Sequence, residues 1–142
     1  MLRGIPKIIS PELMKELMDM GHSDILILAD ANFPATSYAK RIIRMDGAEI
    51  LDLLDAILPF FPLDNFVEQP VKLMSNLPNE PTPEIWKKYK DIVKNHDKDN
   101  AFDDFGFIER LSFYEEAKKA YVIVQTGTTE RYANILLQKG VI

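Results

Sequence analysis

The chain contains no cysteine, which excludes a disulfide framework, a thiolate nucleophile and any Cys-ligated metal or iron–sulfur centre. Histidine is nearly as scarce. His22 and His96 are the only two and stand far apart, so nitrogen ligands for a metal are few and no metal site is expected. Positive charge is in deficit: 17 Lys and Arg against 22 Asp and Glu leave a net charge of −5. Nucleic acid and anionic membrane surfaces both require clustered Lys and Arg, so neither is an expected partner. No apolar run approaches membrane-spanning length, and Met1-Leu2-Arg3-Gly4-Ile5-Pro6 lacks the long apolar core of a signal peptide. Repeats and low-complexity linkers are missing too. These absences lead to the expectation of a cytoplasmic protein.

What remains is an ordinary globular composition, with 46% hydrophobic and 27% charged residues in 142. That length suits one domain, residues 1–142. Ser10-Pro11-Glu12 starts a helix well, because Ser accepts from an orphan backbone N–H, Pro fits the first helical position and Glu favours the positive end. Leu13, Leu17 and Met20 give that helix an apolar face, and Gly21 suits its C-terminal stop. Ile25 to Ala29 is a continuous apolar run bounded by polar residues, the pattern of a buried strand. Short strands are expected at 41–44 and 71–74, with a helix between them through Ile50, Leu53, Leu54, Ile57 and Leu58 that Pro59 and Pro62 end. Thr82-Pro83-Glu84 repeats the helix-start chemistry, and 94–104 reads as a charged surface loop. Ser112 to Glu115 fits a capping box before a short helix to about Ala120. An apolar strand at 121–124, a hairpin turn at Thr126-Gly127-Thr128-Thr129 and a last strand from Tyr132 to Leu137 complete the chain. Helices interleaved with short apolar strands indicate an α/β fold, a central sheet covered by helices.

The candidate chemistry gathers at the first strand. His22 stands just before it and Asp30 just after it. Imidazole is the side chain that most readily exchanges protons near neutral pH, and loops after buried strands commonly carry ligand-binding groups. Each residue has a bland alternative: His22 can complement a helix dipole, and Asp30 can cap a turn through its own backbone. His96, among Lys94, Asp97, Lys98 and Asp99, reads as a solvated surface residue. Thr126 to Thr129 has one glycine and no following Lys, a weak phosphate loop. Tyr132 and Asn134, two apart on an expected strand, share one face and suit a polyhydroxylated ligand, or simply satisfy each other. Arg110 lies among Ile108, Leu111 and Phe113, a setting a guanidinium enters with a partner, or over which it snorkels to water.

Further matches extend along nearly the whole chain: Ile9-Ser10-Pro11-Glu12-Leu13, Met20-Gly21-His22 and Ala29-Asp30-Ala31-Asn32-Phe33-Pro34-Ala35. They continue through Phe113-Tyr114-Glu115 with Ala117 and Lys119-Ala120, to Tyr132-Ala133-Asn134-Ile135-Leu136-Leu137-Gln138-Lys139-Gly140-Val141. With these the chain resembles the fucose mutarotase and ribose pyranase family. The Asp-Ala-Asn-Phe-Pro segment and Arg110 place it closer to the fucose branch. The resemblance implies a ribose pyranase-like three-layer fold and an isomerase of carbohydrate metabolism that interconverts the anomers of a free sugar without cofactor or metal. It also implies His22 as proton donor, with Asp30, Arg110, Tyr132 and Asn134 holding the sugar. Asp30 and Tyr132 are candidates for the complementary proton transfer. Family members assemble as rings, typically decamers of two stacked pentamers.

Geometry adds a constraint. Five extended residues span ~16 Å at ~3.3 Å each, so His22 and Asp30 lie beyond opposite ends of a strand longer than a pyranose. Either the flanking loops fold back, or one site takes His22 from one subunit and Asp30 from its neighbour in a head-to-tail ring; the second, with sites at subunit interfaces, is the expectation. L-Fucose is the expected sugar; Phe33, Trp86 or Tyr114 would offer apolar surface to its methyl group. Ribose pyranase activity and a non-catalytic sugar-binding ring are the alternatives.

Overall fold

The computed structural model describes all 142 residues, Met1 to Ile142. The elements are α1 (Pro11–Asp19), β1 (Ile25–Ala29), α2 (Ala35–Tyr38), β2 (Ile42–Met45), α3 (Ile50–Ile57), β3 (Val71–Met74), α4 (Glu84–His96), β4 (Gly106–Ile108), α5 (Arg110–Lys119), β5 (Val122–Thr126) and β6 (Ile135–Gln138), with a 3-10 turn at Leu58–Phe60. Six strands form one sheet in the order β2-β5-β1-β6-β3-β4. All neighbours run parallel except β6, which is antiparallel to both β1 and β3. The carboxyl ends of β1 to β5 and the start of β6 therefore share one edge of the sheet. The starts of the parallel strands and the end of β6 share the other.

Alternation along the strands divides the interior into two layers. Leu26 and Leu28 of β1, with Val122, Val124, Ile135 and Leu137, pack against α1, α3 and α4. Ile27 and Ala29, with Ile123 and Leu136, face Phe33, Ala35, Phe113 and Ala117 on the α2 and α5 side. The result is the expected helix–sheet–helix arrangement, with β1 buried in the middle.

Local signals explain most of the elements. Ser10 Oγ accepts from the Leu13 N–H at 3.1 Å, with Pro11 at the first position of α1. That helix ends at Asp19 with an extended Met20, and Gly21 is not left-handed. Pro83 rather than Thr82 occupies the cap position of α4, without a side-chain bond. The helix runs on to His96, whose ring bonds Asp55 of α3 at 2.7 Å, so His96 is an inter-helix partner and not a free surface residue.

Three expectations are corrected near the C-terminus. The cap of α5 is Glu109, which accepts from Leu111 and Ser112 N–H at 2.9 and 3.3 Å, so the helix starts before Ser112 and there is no capping box. Residues 126–129 are not a hairpin turn, because β1 lies between β5 and β6. Thr128 instead reaches α3: its hydroxyl accepts from Ile50 N–H at 2.8 Å and donates to Glu49 at 2.6 Å, supplying the bond that α3 lacks at its own cap. Finally, β6 starts at Ile135, and Tyr132 is left-handed with φ 56°, so Tyr132 and Asn134 do not share a strand face. Two short elements, α2 and β4, carry no sequence signal; β4 exists through its pairing with β3.

Candidate functional site

The candidate residues separate onto the two edges of the sheet. The antiparallel register of β1 and β6 aligns Ile25 with Gln138 and Leu28 with Ile135, so His22 lies at the Gln138 end and Asp30 at the Asn134 end.

At the first edge, His22 bonds Asp64 at 3.3 Å through Nε2, and the imidazole is partly exposed while the carboxylate is buried. An Nε2–H given to a carboxylate leaves Nδ1 for a substrate. Burial pushes Asp64 up, but bonds from Phe66 N–H, Gln138 Nε2 and His22 outweigh it and hold the carboxyl below its ordinary range. Three backbone segments set this pair. Ser23 N–H donates to Lys139 O, Lys139 N–H to Asp24 O, and Gly140 N–H to Pro62 O, while Leu63 bridges Lys139. Gly140 is required there, since a Cβ would sit 2.4 Å from Leu63 O. Phe66, largely exposed, puts its ring 5.4 Å from the imidazole.

At the opposite edge, Asp30 and Asn134 are both buried and reciprocally bonded. Asn134 Oδ1 accepts from Asp30 N–H at 2.8 Å, and its Nδ2 donates to Asp30 Oδ2 at 2.9 Å. Asp30 Oδ1 also accepts from Asn32 N–H at 2.9 Å, so the turn-capping role weighed from the sequence is real as well. Burial dominates and raises the Asp30 carboxyl above its usual range, although bonds from Asn32, Asn134 and Phe33 oppose it. Gln125 donates to Asp30 O and Thr126 Oγ1 to Ala29 O, tying the strand end to β5.

Tyr132 does not pair with Asn134. Its hydroxyl donates to Glu80, which follows β3, and its carbonyl accepts from Trp86 Nε1 at 2.8 Å. Arg110, exposed at the start of α5, lies 5.8 Å over the Tyr114 ring and has no carboxylate partner. Tyr114 meets Phe33 edge-on and stacks on Tyr38, so Arg110 stands beside an aromatic cluster that includes Phe33 of the loop after Asp30. Of the apolar candidates, Phe33 and Tyr114 join this cluster, whereas the Trp86 indole is committed to Tyr132 O and packs on Phe107.

The structure thus brings together Asp30 and Asn134 directly, with Tyr132 and Arg110 on the same edge, and keeps His22 apart. A pocket of about 260 Å³ opens beside Tyr132 and Glu80, and none of His22, Asp30, Arg110 or Asn134 lines it. Asp64 and Glu80 carry no sequence signature, as their partners are 42 and 52 residues away. The one available hint was an acid, Asp64, between apolar residues in Phe60-Phe61-Pro62-Leu63-Asp64-Asn65-Phe66. No group of three or more His, Asp or Glu side chains is arranged to hold a metal ion, and no helix is long and apolar enough to cross a membrane.

Comparison with known proteins finds full-length relatives of this chain. The sequence model of the RbsD / FucU transport protein family matches residues 3–142. The chain is 44% identical over 147 residues to a fucose mutarotase of Mus musculus, covering 98% of this chain and 94% of the relative. A crystal structure of the fucose mutarotase from Streptococcus pneumoniae in complex with L-fucose superposes with a TM-score of 0.93 at 46% identity, covering 99% of both chains. Bacillus subtilis RbsD complexed with D-ribose shares the fold, with a TM-score of 0.70 at 20% identity over 94% of this chain and 95% of that one.

Proposed function

This chain belongs to the RbsD / FucU transport protein family, and from that premise we propose that it is an L-fucose mutarotase, an isomerase that works without cofactor. Full-length similarity to fucose mutarotases supports the sugar. The observation that carries the chemistry is the half-exposed His22 imidazole held by the buried Asp64 carboxylate.

Mutarotation removes a proton from the anomeric hydroxyl and delivers one to the ring oxygen. The C1–O5 bond breaks, the aldehyde turns its other face, and reclosure returns both protons. His22 delivers the ring-oxygen proton from Nδ1 as an imidazolium whose Nε2–H is held by Asp64, and it takes a proton back at Nδ1 on reclosure. Asp30 is raised toward the protonated form and can exchange a proton at the opposite side of the sugar. Asn134, Tyr132 and Arg110 orient hydroxyls, and the Phe33 and Tyr114 rings offer apolar surface to the methyl group.

The two edges work together when subunits meet head to tail, so that His22 of one subunit completes the Asp30 site of the next. Exposed apolar residues on both edges support such a contact: Phe66 beside His22, and Leu77, Phe107 and Leu111 near the other edge. Repetition of this contact closes a ring, one layer of the two stacked pentamers the resemblance implies, and on this reading the enzyme works in the cytoplasm.

Saturation-transfer NMR on L-fucose, with D-ribose and galactose beside it, tests the activity. His22→Gln is expected to slow anomer exchange by about 10²- to 10⁴-fold with the fold intact. Undiminished exchange refutes the assignment. Mixing inactive His22→Gln and Asp30→Ala subunits under exchange conditions is expected to restore part of the activity. No recovery despite demonstrated subunit exchange rejects the shared site.

A further inference from the structure

Tyr132 is built in a way that binding a sugar alone does not explain. A bulky aromatic at φ 56° is uncommon, and such strain persists only where surrounding contacts hold it. Here Trp86 Nε1 grips Tyr132 O at 2.8 Å and Tyr89 OH grips Ala133 O at 2.7 Å, so α4 fixes the backbone. The side chain then ends on Glu80, to which the phenol donates its single proton.

Glu80 is itself braced. Arg131 Nη2 donates to Oε1 at 2.7 Å, Leu77 N–H donates to Oε2 at 3.2 Å, and Asn76 Nδ2 holds the Glu80 and Pro81 carbonyls at 3.2 and 3.1 Å. The carboxylate is 18% exposed, against 77% for Arg131, so the arginine meets water while the acid faces the tyrosine.

We propose that Glu80 is a positioning residue for Tyr132: by taking the phenol's proton in a hydrogen bond, it turns the oxygen's lone pairs to the sugar. Tyr132 then meets the substrate only as an acceptor of a sugar hydroxyl's hydrogen bond, and not as an acid. The inference rests on the reading of Tyr132 as a sugar-site residue, and it narrows that residue's part in the reaction.

A competing role is a proton relay in which a sugar proton passes to the phenol while the phenol's passes to Glu80. The electrostatics oppose it. The bond to Glu80 is the leading cause that holds the phenol above its usual range, and the same bond is the leading cause that holds Glu80 below its own. Both shifts favour phenol plus carboxylate over phenolate plus acid. Orientation is the role the geometry points to.

The test compares the parent protein with Glu80→Gln, Tyr132→Phe and the double variant. Ultraviolet titration of tyrosine, parent against Tyr132→Phe, isolates Tyr132; kcat and KM come from anomer exchange on L-fucose. Glu80→Gln keeps an acceptor but removes the charge and admits a donor that competes for the phenol oxygen. It is expected to lower the pH at which Tyr132 ionises and to raise KM about tenfold with kcat within about threefold. In the Tyr132→Phe background it should change neither constant, and Glu80→Asp should recover part of the parent KM. An unchanged Tyr132 titration overturns the proposal. So does a loss confined to kcat, which is the signature of a relay. Equal losses in both backgrounds reduce Glu80 to a loop brace and overturn it too. A parent that fails to exchange fucose anomers but whose Tyr132 titration shifts in Glu80→Gln refutes the mutarotase reading while supporting the Glu80–Tyr132 orientation.

Discussion

Replacing Asn134 by Ala attacks the one point where the site and the core coincide. Asn134 is buried at 3% exposure and makes two bonds to Asp30, one accepted from the backbone N–H and one donated to the carboxylate. Truncation leaves both Asp30 groups without these partners, and Asp30 is itself 8% exposed, so water replaces them poorly. An unsatisfied buried group costs about 1–3 kcal/mol, and more when charged, so a loss of roughly 2–4 kcal/mol is expected for the pair. The loss also depends on pH. Asp30 is raised in the folded state, so its linkage favours folding at low pH, and that contribution disappears as pH climbs through the folded value. Removing the Asn134 bond, which lowers the carboxyl, raises it further and enlarges this effect. The difference in stability between Asn134→Ala and the parent should therefore be greater at pH 7 than in acid below the Asp30 titration. Urea unfolding followed by the fluorescence of Trp86, the only tryptophan, reads this directly at matched protein concentration. A loss below about 0.5 kcal/mol, or one of equal size at both pH values, refutes the reasoning.

Asp64→Asn removes the carboxylate from His22 and is expected to lower anomer exchange by roughly tenfold or more, measured by the same NMR experiment. Because Asp64 is held below its ordinary range, its stabilisation is present above that range and is lost as pH falls through the folded value; Asp64→Asn should flatten the acid limb of a stability–pH curve. Gly140→Ala forces a Cβ to within 2.4 Å of Leu63 O. It should destabilise the protein by about 1–3 kcal/mol in a thermal melt and reduce activity as well, because the displaced segment carries Asp64. Full activity at normal stability would show that the 62–64 and 138–140 segments do not set the His22 partner.

Most of the local sequence reading held. Ser10-Pro11-Glu12 caps α1, the apolar run at 25–29 is the buried β1, and Pro59 falls where α3 gives way to a 3-10 turn. It failed where a distant partner decided the outcome. Ser112 is a local exception: it had the right residues for a capping box, but Glu109 caps the helix one turn earlier through the Leu111 and Ser112 N–H groups. Tyr132 and Asn134 have the alternation of a strand, yet bonds from Trp86 and Tyr89 on α4 hold the backbone left-handed at Tyr132. His96 looked solvated because Asp55 is invisible from its neighbours in the chain.

The sequence alone determined the chemistry available to this protein: no thiol, few metal ligands, one imidazole before a buried strand and one carboxylate after it. It also placed the chain in its family, since that rests on residue identity in order. Tertiary structure decided which groups act as pairs. Sheet order and the single antiparallel strand bring Asp64 to His22, Gln138 to Asp64, and Asn134 to Asp30, across separations of 42 to 104 residues that no local pattern encodes. The reason is physical. Helix caps and strand periodicity are properties of neighbouring residues, whereas a buried polar group takes whichever partner the packed sheet delivers.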